Sequence, residues 1–209
     1  AGLTAKDHTG AGERKLGKSS LLTHLSHAPT LQSFGLDPAL YLFVYFDLES
    51  MASAQRSDFW MELLDTLASQ LPPGDVAQML RKQIDSGEVR FMTARRALRR
   101  LRDTGLKVVL MLDEFESLAR NAQFDSDFYG ELRSLAGEMG LVILTASKRS
   151  LYDLTYENSS TLSSPFFNIF SEMPIGLMTN DDACQILSEL SGRSGAVFCA
   201  EEIEWALDL

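Results

Sequence analysis

Gly12-Glu13-Arg14-Lys15-Leu16-Gly17-Lys18-Ser19 is the stretch on which the fold turns. It fits G-x-x-x-x-G-K-[ST] at every fixed position, the pattern of a loop that wraps phosphate between a strand and a helix. Gly12 and Gly17 let the backbone curl so that successive N–H groups point inward, a geometry that a Cβ would obstruct. Lys18 brings a point charge to the outer phosphates. The Ser19 hydroxyl is a ligand for Mg²⁺, and a helix beginning there offers the positive end of its dipole to the anion.

A second motif lies further along the chain. Val108-Val109-Leu110-Met111-Leu112 is an unbroken apolar run, preceded by Gly105 and followed at once by Asp113-Glu114. Such a run reads as a parallel strand buried on both faces. Open α/β sheets bind their ligands at the carboxyl ends of such strands, which is where the acidic pair falls. Asp113 is expected to hold Mg²⁺ through its water shell. Glu114 is expected to act on the water that attacks the γ-phosphate, as general base or orienting group.

Composition narrows the class. The chain has 209 residues, of which 45% are hydrophobic and 23% charged, enough for one sizeable core with part of a second unit. Its net charge of −10 and pI near 4.8 argue against a general nucleic-acid or anionic-membrane binder. Cys184 and Cys199 form neither a metal-ligand cluster nor a disulfide framework, so a reduced, cytoplasmic setting is expected. No apolar run reaches the length of a membrane span. His8, His24 and His27 lack a carboxylate or cysteine at ligand spacing and read as solvated or internally satisfied histidines.

Strands alternate with helices along the chain. Leu40–Leu48, rich in aromatics, reads as a buried strand, as does Leu141–Thr145; Asn168–Ile175 is a weaker strand, placed at or near an edge by Pro174. Helices are expected over Ser19–Leu25, Asp58–Leu71, Val76–Ile84, Thr93–Arg102, Asp127–Met139, Asp181–Leu190 (capped by Thr179 or Asn180) and from Glu201 onward. This alternation implies a three-layer α/β/α arrangement around a mainly parallel sheet. The helix Thr93–Arg102 carries Arg95, Arg99 and Arg102 on one face, flanked by Arg96 and Arg100, with Phe91, Leu98 and Leu101 opposite. Such a stripe is ordinarily a solvated face paired with acids.

G-E-R-K-L-G-K-S-S-L-L, M-L-D-E-F-E, I-L-T-A-S-K-R-S-L-Y-D-L and S-S-P-F-F-N-I-F together resemble the STAND-type P-loop ATPases of bacteria and archaea, the AAA-like signalling ATPases. The resemblance implies a P-loop NTPase core over residues 12–178, followed from 179 to 209 by the start of a helical lid that continues beyond Leu209. It also implies a nucleotide cradle of Gly12, Lys15, Leu16, Gly17, Lys18, Ser19 and Ser20. By the same resemblance Mg²⁺ is expected on Ser19 and Asp113, and Glu114 with Lys18 is expected to serve catalysis. The strand tip Thr145-Ala146-Ser147-Lys148 matches the family's γ-phosphate sensor, giving Thr145, Ser147 and Lys148 that role. Arg149 is the nearest candidate for an in-cis arginine finger.

In that family a strongly apolar central strand leads into the phosphate loop. Thr4-Ala5-Lys6-Asp7-His8-Thr9-Gly10 is too polar for a doubly buried place. Residues 1–11 are therefore expected to be a leader or tag-like segment, irregular or separated from the loop's true strand by absent residues, with the loop poorly formed. The strand before the loop is expected to lie between the Leu141 and Asn168 strands.

The function these features imply is binding of ATP with Mg²⁺ and slow hydrolysis, the bound state switching further domains of the same chain or effector proteins, with a nucleotide-dependent oligomer possible. GTP is disfavoured because no [NT]-K-x-D motif is present. Two other classes stand beside this one: a DNA-associated AAA-type ATPase of the origin-recognition or transposition kind, and a scaffold that holds nucleotide without turning it over. Salt-dependent duplex binding would mark the first and absence of phosphate release the second.

Overall fold

The computed structural model describes residues 2–7 (as backbone), 17–149, 151, 154, 168–176, 178–195 and 198–207. Five strands form one sheet: β1 (Gly2–Asp7), β2 (Tyr41–Asp47), β3 (Lys107–Asp113), β4 (Val142–Ser147) and β5 (Phe170–Ile175), in the order β2-β3-β4-β1-β5. Every pairing is parallel. The expected neighbours Leu40–Leu48, Val108–Leu112 and Leu141–Thr145 are thus adjacent, and the strand before the phosphate loop lies between β4 and β5 as expected.

The character of that strand is a correction. Gly2–Asp7 is not irregular; it pairs on both sides, with Thr4 opposite Thr145 of β4 and Glu172 of β5. The physical reason is backbone demand. A gap between β4 and β5 would leave ladder N–H and C=O groups unpaired in the interior, and six extended residues satisfy them whatever their side chains. The loop residues 8–16 lie outside the described residues.

Helices connect the strands. On one side of the sheet are α3 (Arg56–Gln70), α4 (Asp75–Asp85), α5 (Phe91–Asp103) and α7 (Ser126–Met139). Leu42, Val44 and Phe46 of β2, Val108, Leu110 and Leu112 of β3, and Ile143 of β4 turn toward them and form the main core. On the opposite face Leu22 of α1 (Lys18–Leu25) covers Val109 and Met111 of β3 and Ala146 of β4. Side-chain alternation along a strand sorts each residue to one layer or the other, and that sorting positions the site. Two short helices, α2 (Ala28–Ser33) and α6 (Phe115–Arg120), occupy segments to which the sequence reading assigned no element.

Local signals explain the helix bounds. Gln55 and Asp58 close a capping box on α3. Asp125 caps α7 by accepting from the N–H groups of Asp127 and Phe128 at 3.0 and 3.1 Å, and Gly140, at φ 68°, ends it. Phe59 anchors the core: its ring meets Phe46, Phe128 and Trp60 edge-to-face at 4.9, 5.0 and 5.1 Å between centroids. The arginine face of α5 is partly paired, as expected of a solvated stripe. Arg95 binds the Glu138 carboxylate, and Arg102 donates to the Glu138 carbonyl at 2.8 Å.

β2 and β5 are the edges of the sheet. Pro174 on β5 is tolerated there because an edge strand has one side free of ladder bonds. The edge position of β2 explains why Leu42, Val44 and Phe46 are buried while Tyr45 is 40% exposed, where the sequence implied a wholly buried strand. The chain divides into two compact units, Ala1–Ile175 and Gly176–Leu209. The second contains α8 (Asn180–Ser194), capped by the Thr179 hydroxyl, and α9 (Ala200–Leu207) packed on α8. Among the described residues, no helix is long and apolar enough to cross a membrane.

The status of β1 is directly testable. Ala5→Pro removes one ladder donor from this interior strand and should destabilise the protein by about 1–3 kcal/mol for the orphaned acceptor alone. Denaturant unfolding measures this; a leader segment would accept the same substitution at no cost.

Candidate functional site

The carboxyl edge of the sheet gathers the charged residues. β3 ends in Asp113, 4% exposed, and parity with Val109 and Met111 puts its carboxylate on the α1 side of the sheet. One oxygen, Oδ1, accepts the N–H of Glu114 at 3.0 Å, and the other, Oδ2, accepts the Tyr45 hydroxyl at 2.8 Å. Glu114 follows at φ 51°, and among the described residues no other non-glycine has positive φ. A left-handed glutamate costs about 1–3 kcal/mol and persists where its surroundings impose it. Here the Asp113–Glu114 hydrogen bond and the immediate start of α6 leave the chain no other path.

Glu114 does not stand free. Its Oε2 meets Lys148 Nζ at 2.5 Å, joining the tip of β3 to the residue just past β4. Beneath this pair lies Glu116, 4% exposed, whose Oε1 accepts the Lys148 backbone N–H at 3.3 Å and stands 3.9 Å from its ammonium. Its second oxygen is buried with no hydrogen-bond partner among the described residues. Burial pushes the Glu116 carboxyl above the usual carboxylate range, opposed by its backbone hydrogen bonds and assisted by the nearby Glu114 charge.

α1 supplies the other side. Gly17 takes φ 81°, a left-handed value that a side chain would strain, and serves as its N-cap. Lys18 follows, buried, and Ser19 and Ser20 are exposed at the helix start. Gly12, Lys15 and Leu16 lie outside the described residues.

The three sensor candidates part company. Thr145 and Ser147 share the parity of Ile143, which faces the main core, and so point away from the Asp113 side. Thr145 Oγ1 is buried without a partner among the described residues, and Ser147 Oγ donates to the Arg149 carbonyl at 2.5 Å. Lys148 alone of the three contacts the acidic pair. Two site residues escaped the sequence reading, Tyr45 and Glu116. The tyrosine could have been found from its even spacing with Asp47, which pairs in register with Asp113. The glutamate is the third acid of D-E-F-E, on the first turn of α6.

A sequence model of the family described as Novel STAND NTPase 2 matches residues 13–204. The chain belongs to this family. Novel STAND NTPase 2 membership agrees with the resemblance read from the motifs, and makes the chain a P-loop NTPase. No curated protein matches it. Among solved structures it is similar to the ORC2 protein of Aeropyrum pernix, in ADPNP–ADP complexes, with a TM-score of 0.65 at 12% identity over 91% of this chain and 45% of that one. The Walker-type ATPase PABY2304 of Pyrococcus abyssi gives 0.61 at 18% identity over 100% of this chain and 58% of that one. Cdc6p of Pyrobaculum aerophilum gives 0.50 at 17% identity, over 89% and 41%. These likenesses establish the P-loop ATPase fold. This chain spans roughly half the length of each of these proteins.

Glu116 yields a pH test. Its raised folded-state pKa means that the folded protein binds this proton more tightly than the unfolded chain. The favourable contribution is present below the ordinary glutamate pKa and is lost as pH rises through the folded value. Glu116→Gln should therefore gain stability relative to the parent as pH rises from 4 to 7, read by urea unfolding across that range.

Proposed function

We propose that this member of the novel STAND NTPase 2 family binds ATP with Mg²⁺ at the carboxyl edge of the sheet, hydrolyses it slowly, and serves as a nucleotide-dependent signalling switch. The observation that carries the proposal is the tip of β3. Asp113 is turned to the α1 side and tied to Tyr45, while Glu114 is held in a left-handed turn within reach of Lys148.

The donor set suits Mg²⁺. Asp113 and Ser19 offer hard oxygen donors, the kind Mg²⁺ takes together with waters and phosphate oxygens. When bound, Mg²⁺ would supply charge to the β- and γ-phosphates. Lys18 at the start of α1 binds the same phosphates, and the first turn of the helix offers its N–H groups. Glu114 orients the attacking water and takes its proton. Lys148, now on Glu114, neutralises γ-phosphate charge when it turns toward it, leaving the Glu114 carboxylate for water.

Residues 179–209 begin the helical lid in this reading, further domains or effector proteins receive the signal, and nucleotide-dependent self-association is part of the switch. Arg149 remains a candidate finger; without a clear one in cis, turnover is slow, since such a residue accelerates by roughly a thousandfold or more.

Lys18→Ala should weaken Mg·ATP binding by about tenfold or more in calorimetry, the loss of one charge-assisted contact, while leaving thermal unfolding unchanged. Glu114→Gln should keep ATP affinity and lose phosphate release by about 10²–10⁴-fold, as expected when a general base becomes an amide. A Glu114→Gln protein that releases phosphate at the parent rate removes Glu114 from the chemistry, and a parent that binds ATP without phosphate release is a nucleotide-holding scaffold.

A further inference from the structure

Tyr45 sits on the edge strand β2, and its parity with Tyr41 and Phe43 sends it to the α1 side of the sheet, the side of Asp113. The register sets Tyr45 opposite Met111 and Asp47 opposite Asp113, so the phenol reaches the carboxylate along a diagonal. The resulting 2.8 Å bond is the only side-chain hydrogen bond to Asp113 among the described residues. With the Glu114 N–H on the other oxygen, both ends of the carboxylate are pinned. Each oxygen retains one acceptor site, which could receive a water of a bound Mg²⁺.

Tyr41, two turns of the pleat away on the same face, spends its hydroxyl elsewhere, on Lys107 Nζ at 3.4 Å.

We propose that Tyr45 is a positioning residue of the metal site: its hydroxyl fixes the Asp113 carboxylate in the orientation that receives the Mg²⁺·nucleotide. This rests on the ATP–Mg²⁺ reading above. Without the hydroxyl, the Asp113 carboxylate is held at one oxygen only and turns about its χ2, a soft torsion. Outer-shell partners of this kind are commonly worth about 10–100-fold in metal affinity.

The test uses the full chain with Mn²⁺ as the probe. Mn²⁺ binding in the presence of a non-hydrolysable ATP analogue is followed by electron paramagnetic resonance for the parent, Tyr45→Phe and Tyr41→Phe. Nucleotide affinity in EDTA and thermal unfolding are measured on the same proteins. Tyr45→Phe should weaken Mn²⁺ binding about tenfold or more, with metal-free nucleotide affinity and unfolding unchanged, and Tyr41→Phe should match the parent throughout. Equal Mn²⁺ affinity in Tyr45→Phe and parent overturns the positioning role and leaves the ATP reading intact. So does a parallel loss of metal-free nucleotide affinity or of stability, which would mark a general structural effect. A parent that binds no Mn²⁺ with nucleotide overturns the ATP–Mg²⁺ reading itself, and the Tyr45 role with it.

Discussion

Backbone groups in the middle of a parallel sheet have no water to bond to, and the arrangement of this protein depends on that. Between β4 and β5 there is room for one strand, and Gly2–Asp7 fills it with partners on both sides. Once β1 runs there in parallel, its carboxyl end lies at the edge where β3 and β4 also end. That end, the start of α1 and the acids of β3 are then brought to one rim by topology, before any side chain has chosen a partner.

Within that rim, strand parity does the finer sorting. Asp113 shares its face with Val109 and Met111 under α1, whereas Thr145 and Ser147 share theirs with Ile143 in the main core. Glu114 escapes the alternation because the strand stops at Asp113 and the next residue bends to φ 51°. Two adjacent acids thereby acquire different surroundings, one pinned by a phenol and an amide, the other held by an ammonium. Different environments are what two carboxylates need if one is to serve a metal and the other a proton.

Much of this was legible in the sequence, and where it was not there is a physical cause. The apolar run Val108–Leu112 and its acidic end announced β3, because a doubly buried strand has no freedom to be polar. The strand order around the loop could be read from the same logic. The identity of the strand between β4 and β5 could not, since the sequence pattern weighs side chains, whereas Thr4, Lys6 and Asp7 are held there by their backbone pairing. Tyr45 was hidden inside a strand of aromatic and aliphatic residues that ends in Asp47, and the register with β3 is what reveals that its hydroxyl lands on Asp113. Lys148 was legible as a strand-tip residue, but its partner Glu114 was not, because that contact crosses from β4 to β3.

The tip of β3 concentrates three carboxylates, Asp113, Glu114 and Glu116, in four consecutive residues of a chain that already carries a net charge of −10. Such a cluster costs free energy unless each charge is met or a proton retained. The structure uses a separate device for each: hydrogen-bond donors for Asp113, an ammonium for Glu114, and a raised proton affinity for buried Glu116. Lys148 is the shared element, bonded to Glu114 through its side chain and to Glu116 through its backbone. If the ammonium leaves Glu114 for a phosphate, its backbone N–H stays on Glu116, so the side chain can change partner while the strand tip keeps its place. In the proposed function, that separation of anchor from charge would let one lysine serve two anions in turn without moving the sheet.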